Sequence, residues 1–481
     1  MKKIKVLLLA SASMIGISNF AFAQIQKGTD LEGDSENDFA GYAVSMPDAN
    51  TLAFGAPYSD ANLPDAGYVR IHHWNGNAWV QKGTDINGEA MGDISGYALS
   101  MPDSNTIAIG APNSDENGSN SGQVRIFSWN GSAWAQKGVD IAGAITTDKF
   151  GTSVSMPDAN TVAVGAPFHN GIGKVYVYTW NGTAWLLRGD AIWGEGQSDQ
   201  AGCAVSMPDA NTLAIGALAN QGTNGTAGHA RIFKWNGSGW IQKGSDIDGE
   251  VAYDYFGNAV SMPDSNTVAI GGPQNDNTNG VDAGHVRIYD WNGSTWLQRG
   301  IDIDGDASSN GLGSSISMPD ANTIAVGAPY YSSESGQVQV FRWNGSSWIQ
   351  DGVDITGEAT GDFCGTSVSM PDANTMAVGA PENNGAALSA GHTRVFTFAP
   401  FTGFAETIDR TGLNIYPNPA GSMLQIQVMH PSTIVVLNML GQELTRLEIE
   451  NNLALDVNSF EPGIYFVRDM ATGQTVKFSK L

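Results

Sequence analysis

The sequence predicts an all-β protein whose main body is a seven-bladed β-propeller of four-stranded blades. Three observations carry that expectation. The hexapeptide SMPDAN or SMPDSN occurs seven times, with its methionine at Met46, Met101, Met156, Met207, Met262, Met318 and Met370, at steps of 51 to 56 residues. Each repeat holds short runs rich in Val, Ile and aromatic residues, separated by turn residues, as expected of consecutive antiparallel strands. A lone four-stranded sheet cannot bury both of its faces, whereas seven packed face to face around an axis can.

The third copy shows the four strands. GTSVSM (151–156) is strand A, TVAVGA (161–166) strand B, KVYVYTW (174–180) strand C and AWLLRG (184–189) strand D. PDAN makes the A–B turn and the C–D turn begins with NG, residues that supply fixed or positive φ. Tight turns at one end leave the longer B–C loops and D–A crossings at the other. The seventh copy stops at GHTRVFTFAP without a strand D, while QIQKGTDLEGD (24–34) is an orphan strand D. The two fragments add up to one blade, so the first strand is expected to pair beside the last strand C and close the ring.

Residues 1–23 carry Lys2, Lys3 and Lys5, an apolar run and a small-residue exit, the layout of a secretory signal peptide. The remaining chain divides into a propeller (24–398), a linker (399–412) and a C-terminal domain (413–481). No other apolar run approaches the length of a membrane helix. The net charge is −25, and the propeller segment holds 40 acidic against 15 basic residues. Such a chain is repelled by phosphate backbones and anionic lipid, which argues against nucleic acid or a membrane surface as partner. Cys203 and Cys364 occupy different repeat positions and read as small buried residues, with no disulfide framework, CxxC pair or zinc site.

Twelve of the thirteen tryptophans lie in six WNGxxW hairpins, both rings of each on one sheet face. They read as inter-blade packing rather than a sugar platform. Arg70, Arg125, Arg231, Arg287 and Arg394 share that face and are expected to stack on rings or pair with a repeated aspartate. His229, His285 and His392 occupy one repeat position, GHxR, and read as strand-start residues. The NGS and NGT triplets at Asn130, Asn181, Asn236, Asn292 and Asn344 read as hairpin turns. No catalytic motif stands in a suitable context, so no enzyme is expected. A polysaccharide-active enzyme with a site near the axis, or a surface-coat protein, are the alternatives.

FGTSVSMPDANTVAVGAP (150–167) resembles the FG-GAP repeat of integrin α-chain propellers, with FG opening strand A and GAP closing strand B. That resemblance implies a propeller and an adhesive role towards a protein or glycan. The family's calcium loop, DxDxDG, is replaced here by MPDANT, so Asp48, Asp103 and their equivalents are expected to be turn formers. The acids concentrate instead in the D–A crossings and B–C loops, on one rim. Within the crossings, Asp246, Asp248 and Asp254, and Asp302, Asp304 and Asp306, are the candidate Ca²⁺ ligands, because hard oxygens two residues apart can wrap that ion. The Asp before each strand A (Asp38, Asp93, Asp148, Asp199, Asp254, Asp362; Asn310 in the sixth copy) is expected to cap its turn or pair with the strand C arginine.

At the C-terminus, LNIYPNP, the LGQEL turn, PGIYFVR and the basic KFSKL end resemble the C-terminal sorting domain of the type IX secretion system. This implies a small Ig-like β-sandwich, handling by that machinery in a Bacteroidetes-like cell, passage through the periplasm, and display on the outer surface or release. The combined expectation is an exported binding or adhesion module that recognises a glycan or protein through its acidic loop face.

Overall fold

The computed structural model describes residues 23–222, 225–399, 413–416, 422–428, 431–438, 442–472 and 475–480. The expected signal peptide, most of the linker, the PNP of YPNP and the middle of the LGQ turn lie outside them. The chain forms two compact units, Met1–Phe401 and Thr402–Leu481. No helix among the described residues is long and apolar enough to cross a membrane.

The first unit consists of seven blade-like antiparallel sheets. In the first, strand A is Ala43–Asp48, B is Thr51–Ala56 and C is Tyr68–Trp74. Strand B is buried at every position, as a strand sandwiched between two neighbouring sheets must be. Strand D departs from the expectation, because it comes in two pieces, Trp79–Gln81 and Ile86–Asn87, both paired with strand C. Between them the chain bulges. Lys82 donates its backbone N–H to Ile71, and Gly83 lies so close to Trp129 and Trp134 of the next blade that a Cβ would strike their rings. Two residues at the start of the crossing therefore belong to the sheet.

The repeated words now have physical meanings. The Asp of each SMPD folds its own turn: Asp48 Oδ1 accepts from Asn50 N at 2.7 Å, and the other six copies do the same. The Ser links neighbouring blades. Ser45 Oγ accepts the backbone N–H of Met101 at 2.9 Å, and the same bond recurs from each blade to the next. The seventh such bond runs from Met46 N to Ser369 Oγ at 2.9 Å, joining the first blade to the last. Proline in SMPD coincides with a register shift between strands A and B, where its missing donor costs nothing.

The orphan strand pairs where the sequence expects it to. Ala23–Gln26 pairs antiparallel with strand C of the seventh blade, His392–Ala399, and Leu31–Glu32 pairs with its beginning. Lys27 continues the link, donating its backbone N–H to Val395 and its ammonium to Ala49 O at the first blade's turn.

The tryptophan pairs are packing devices. Trp74 and Trp79 face each other across strands C and D with ring centroids 5.5 Å apart. Trp79 Nε1 donates to Lys27 O at 2.7 Å, and Lys27 Nζ lies 5.1 Å from the Trp74 centroid. Lys82, Lys137, Arg188, Lys243 and Arg299 repeat this cation–π cage in the next five blades. After the sixth blade the cation's place is taken by Asp351. Arg342 pairs with it and donates to Ala373 O, the carbonyl the missing lysine would have reached.

The second unit holds two sheets around one core. One contains Asn414–Tyr416, Met423–Gln427 and Asn452–Asp456, and the other Ser432–Asn438, Glu443–Ile449, Gly463–Asp469 and Thr475–Lys480. Leu424 and Ile426 of the first meet Ile434, Val436, Val467 and Phe478 of the second.

Candidate functional site

Strand A of each blade packs against strand A of its neighbours, so these strands line the axis. Strand A begins where strand B ends, which places three sets of residues around the axial mouth on the loop face. The innermost set precedes the glycine that opens strand A: Phe39, Ile94, Lys149, Gln200, Tyr255, Gly311 and Phe363. All seven are left-handed, with φ between 50° and 64°. For bulky or β-branched side chains this conformation is strained, and such strain persists where the surroundings over-determine it. The second set immediately precedes strand A and includes Tyr42, Tyr97 and Asn258. The third follows GAP and includes Tyr58, Tyr330 and Glu382.

A chain that repeats itself nearly word for word thus differs at almost every blade around this opening. One arc is aromatic. Tyr42 meets Tyr97 at 4.9 Å and Tyr58 at 6.2 Å between centroids, Phe39 meets Tyr58 at 5.2 Å, and Tyr330 meets Phe363 edge-on at 5.9 Å. Burial, with Tyr97 and Tyr58 nearby, pushes the Tyr42 phenol far above its ordinary range, so it stays a neutral donor.

Beside this arc, where the fifth to seventh blades meet, opens a cavity of about 1200 Å³. Tyr255, Asn258, Asn310, Tyr330, Glu334 and Phe363 are among its walls. Asn310 stands where six other blades have the capping aspartate. It is 3 % exposed and its Nδ2 has no partner in the protein. Ser332, Ser333 and Glu334 follow one another at positive φ on the cavity wall. Burial, and then the charge of Glu334, raises the Glu382 carboxyl above its usual range. A mouth with aromatic faces and an uncommitted amide donor suits a polyhydroxylated ligand. Sequence reasoning missed it because its residues are scattered over the whole chain; the available signal was their variability at fixed repeat positions.

The residues predicted from sequence fall elsewhere. Asp254 is buried and caps its own turn, accepting from Glu250 N and Val251 N, as Asp38 and Asp362 do in theirs. Among the two alternatives for this repeated aspartate, the cap is the one formed. The strand C arginines pair with a different acid, four residues earlier: Arg70 with Asp34 at 2.5 Å, Arg125 with Glu89 and Arg231 with Glu195 at 3.3 Å, and Arg287 with Glu250. Asp306 takes that place in the sixth blade and accepts from Gln339 at 2.9 Å. Asp248 and Asp304 are exposed on the short second piece of strand D. Asp246 and Asp302 lie before that piece, near His229 and His285. Cys203 and Cys364 are free thiols, raised by burial to about 12 and about 11.

One histidine gives a measurable handle. His72 is stacked on Phe54 at 5.7 Å, and burial followed by the Arg70 charge lowers it to about 4. Its folded pKa lies below the unfolded value of about 6.5, so the stability from keeping it neutral is present above that pH and lost as pH falls towards 4. The other blades place Phe or Tyr there. His72→Phe is expected to remove up to about 3 kcal/mol of acid destabilisation between pH 6.5 and 4. Urea unfolding of both proteins at the two pH values checks this, and equal pH slopes would refute it.

Residues 414–481 match the family described as "Secretion system C-terminal sorting domain". No curated protein matches the chain at a significant level. Among solved structures, a putative 6-phosphogluconolactonase from Bacteroides uniformis is similar at 9 % identity, covering 85 % of this chain and 100 % of that one, with a TM-score of 0.49. The GH74 enzyme of Niastella koreensis is similar at 13 % identity over 93 % of this chain and 73 % of that one, TM-score 0.44. The β-propeller domain of the Trilobed protease from Pyrococcus furiosus is similar at 10 % identity over 70 % and 90 %, TM-score 0.42. At such identities a likeness is one of fold, and the activities named are those proteins' own. The sorting domain indicates secretion by the type IX system, to the cell surface or into the medium.

Proposed function

We propose that the protein is a closed, FG-GAP-like seven-bladed propeller, exported by type IX secretion, that binds a glycan in its axial mouth on the loop face. The observation that carries this reading is the breakdown of the repeat around the mouth. Scaffold positions recur in every blade, whereas Phe39, Tyr42, Tyr58, Tyr330 and Phe363 give one arc flat apolar faces, and Asn310 supplies an uncommitted donor beside it. The C–H face of a sugar ring stacks on such aromatics, and its hydroxyls take up the donors and acceptors. The negative charge of the chain favours neutral over polyanionic polysaccharides.

The test is affinity electrophoresis of the exported chain in gels containing xylan, mannan, mixed-linkage β-glucan or alginate. At least one neutral polymer is expected to retard it, and Tyr330→Ala combined with Asn310→Asp to weaken retardation at least tenfold while melting stays unchanged. Retardation that survives both substitutions, or none with any polymer, overturns the reading. The charge of Glu334, felt by the Glu382 carboxyl, favours a second reading, a glycoside-cleaving site using paired carboxylates. Release of new reducing ends, lost in Glu382→Gln, would establish that alternative.

A further inference from the structure

Three blades begin strand C with histidine, and in each the fold gathers two carboxylates around it. His229 meets Glu195 and Asp246, His285 meets Glu250 and Asp302, and His392 meets Asp30 and Glu358, with the ligating atoms of each group within 4.8 Å of one another. One carboxylate comes from between the two pieces of the strand D paired with that strand C, and the other from the crossing that leads into the same blade. The imidazoles are 1 % exposed or less, and neither ring nitrogen of any of the three has a hydrogen-bond partner in the protein. Nδ1 of His285 lies 3.5 Å from Asp302 and that of His392 3.7 Å from Asp30, both carboxylates of their own triads, while that of His229 lies 3.9 Å from Asp248, beside its triad. A buried imidazole left unpaired is destabilising, a demand that a bound cation would satisfy.

We infer that the exported protein binds divalent transition-metal ions such as Zn²⁺ at these three His–Asp–Glu triads, one ion per triad. Ligands about 2.1 Å from an ion stand roughly 3–4 Å from each other, so the triads need contract only slightly to close on one. Imidazole with carboxylates selects zinc-like ions over Ca²⁺ and Mg²⁺, which prefer oxygen alone. Neighbouring groups supply the outer contacts that orient metal-binding carboxylates. Gln298 donates to Asp302 at 2.6 Å and Gln242 to Asp246 at 2.6 Å, while Arg287 pairs with both Asp302 and Glu250.

The other four blades are internal controls. They carry Tyr68, Gln123, Lys174 and Gln337 at the histidine position. No such group forms there among the described residues. In the third blade Lys174 brings its own cation, 4.2 Å from the Trp193 centroid. The triad at His392 joins Asp30, between the two N-terminal strand pieces, to Glu358 and His392 of the last blade and the crossing into it, so an ion there would fasten the N-terminal segment.

The full exported chain, stripped with EDTA and dialysed, should take up about three Zn²⁺ per molecule at micromolar concentrations in isothermal titration, undiminished by millimolar Ca²⁺ or Mg²⁺. His229→Gln, His285→Gln and His392→Gln should each remove one equivalent, because glutamine is already the native residue at this position in two blades. Zinc should raise the melting temperature by several degrees in the native protein, and by less in His392→Gln. Unchanged uptake in the triple glutamine variant would assign the zinc to surface groups such as His73 and overturn the inference, as would absence of binding.

Discussion

Deleting residues 24–32 is expected to leave a propeller unit that no longer unfolds cooperatively or stays soluble. The segment supplies all of strand D in the seventh blade except Ala23, pairing Gln24 with Phe398, Ile25 with Thr397, Gln26 with Phe396 and Leu31 with Thr393. Its loss bares one whole edge of strand C and the apolar face around Leu31, Val44 and Val395. It also removes Lys27, which joins the Trp74–Trp79 pair to the turn at Ala49. About 1.5–3 kcal/mol for the buried leucine and about 1 kcal/mol for each lost ladder bond amount to several kcal/mol. That is comparable to the whole stability of a typical domain, 5–15 kcal/mol. Urea unfolding followed by tryptophan fluorescence reads the effect, and a synthetic peptide of residues 24–32 should restore part of the transition. An unchanged midpoint in the deleted chain would show that the stability of this unit does not depend on this strand.

The fold was legible because its information is local and repeated. SMPDAN fixes a turn and GAP ends a strand, while WNGxxW makes a hairpin, and seven copies leave few ways to bury the faces. The interruption of strand D was not legible, since the bulge at Lys82 and Gly83 is dictated by the rings of Trp129 and Trp134 in the next blade. The candidate sites were harder still. Asp246, Asp248 and Asp254 are near one another along the chain, yet the potential metal ligands that gather at Asp246 are His229, across the sheet, and Glu195, in the preceding crossing. Tyr42 and Tyr330 lie far apart in sequence and come near each other only once the blades are set in a ring. Sheet register and blade order, rather than spacing, assemble these groups.

The glycines of GAP and of the strand A opening should be among the least replaceable residues. Gly110 of the second blade lies against Gly151 of the third, so that a Cβ on Gly110 would collide with the Gly151 carbonyl oxygen. The same collision recurs at Gly55, Gly165, Gly216, Gly271, Gly327 and Gly379, each against the glycine that opens the neighbouring strand A. Those partners accept no side chain easily either, since Gly151 has φ +91° and donates its N–H to Gly165 O. Backbone touches backbone here, and no rotamer change can relieve an added methyl. Gly110→Ala is therefore expected to cost about 3 kcal/mol or more, because the blades must separate to admit it. Gly239 is the control. It has no left-handed φ, a Cβ there would meet nothing within 4 Å, and alanine already occupies its position in the first three blades. Gly239→Ala should be neutral or stabilise by up to about 1 kcal/mol through the unfolded chain. Equal shifts in the urea midpoint for the two variants would refute the view that these glycines hold the blades at their closest approach.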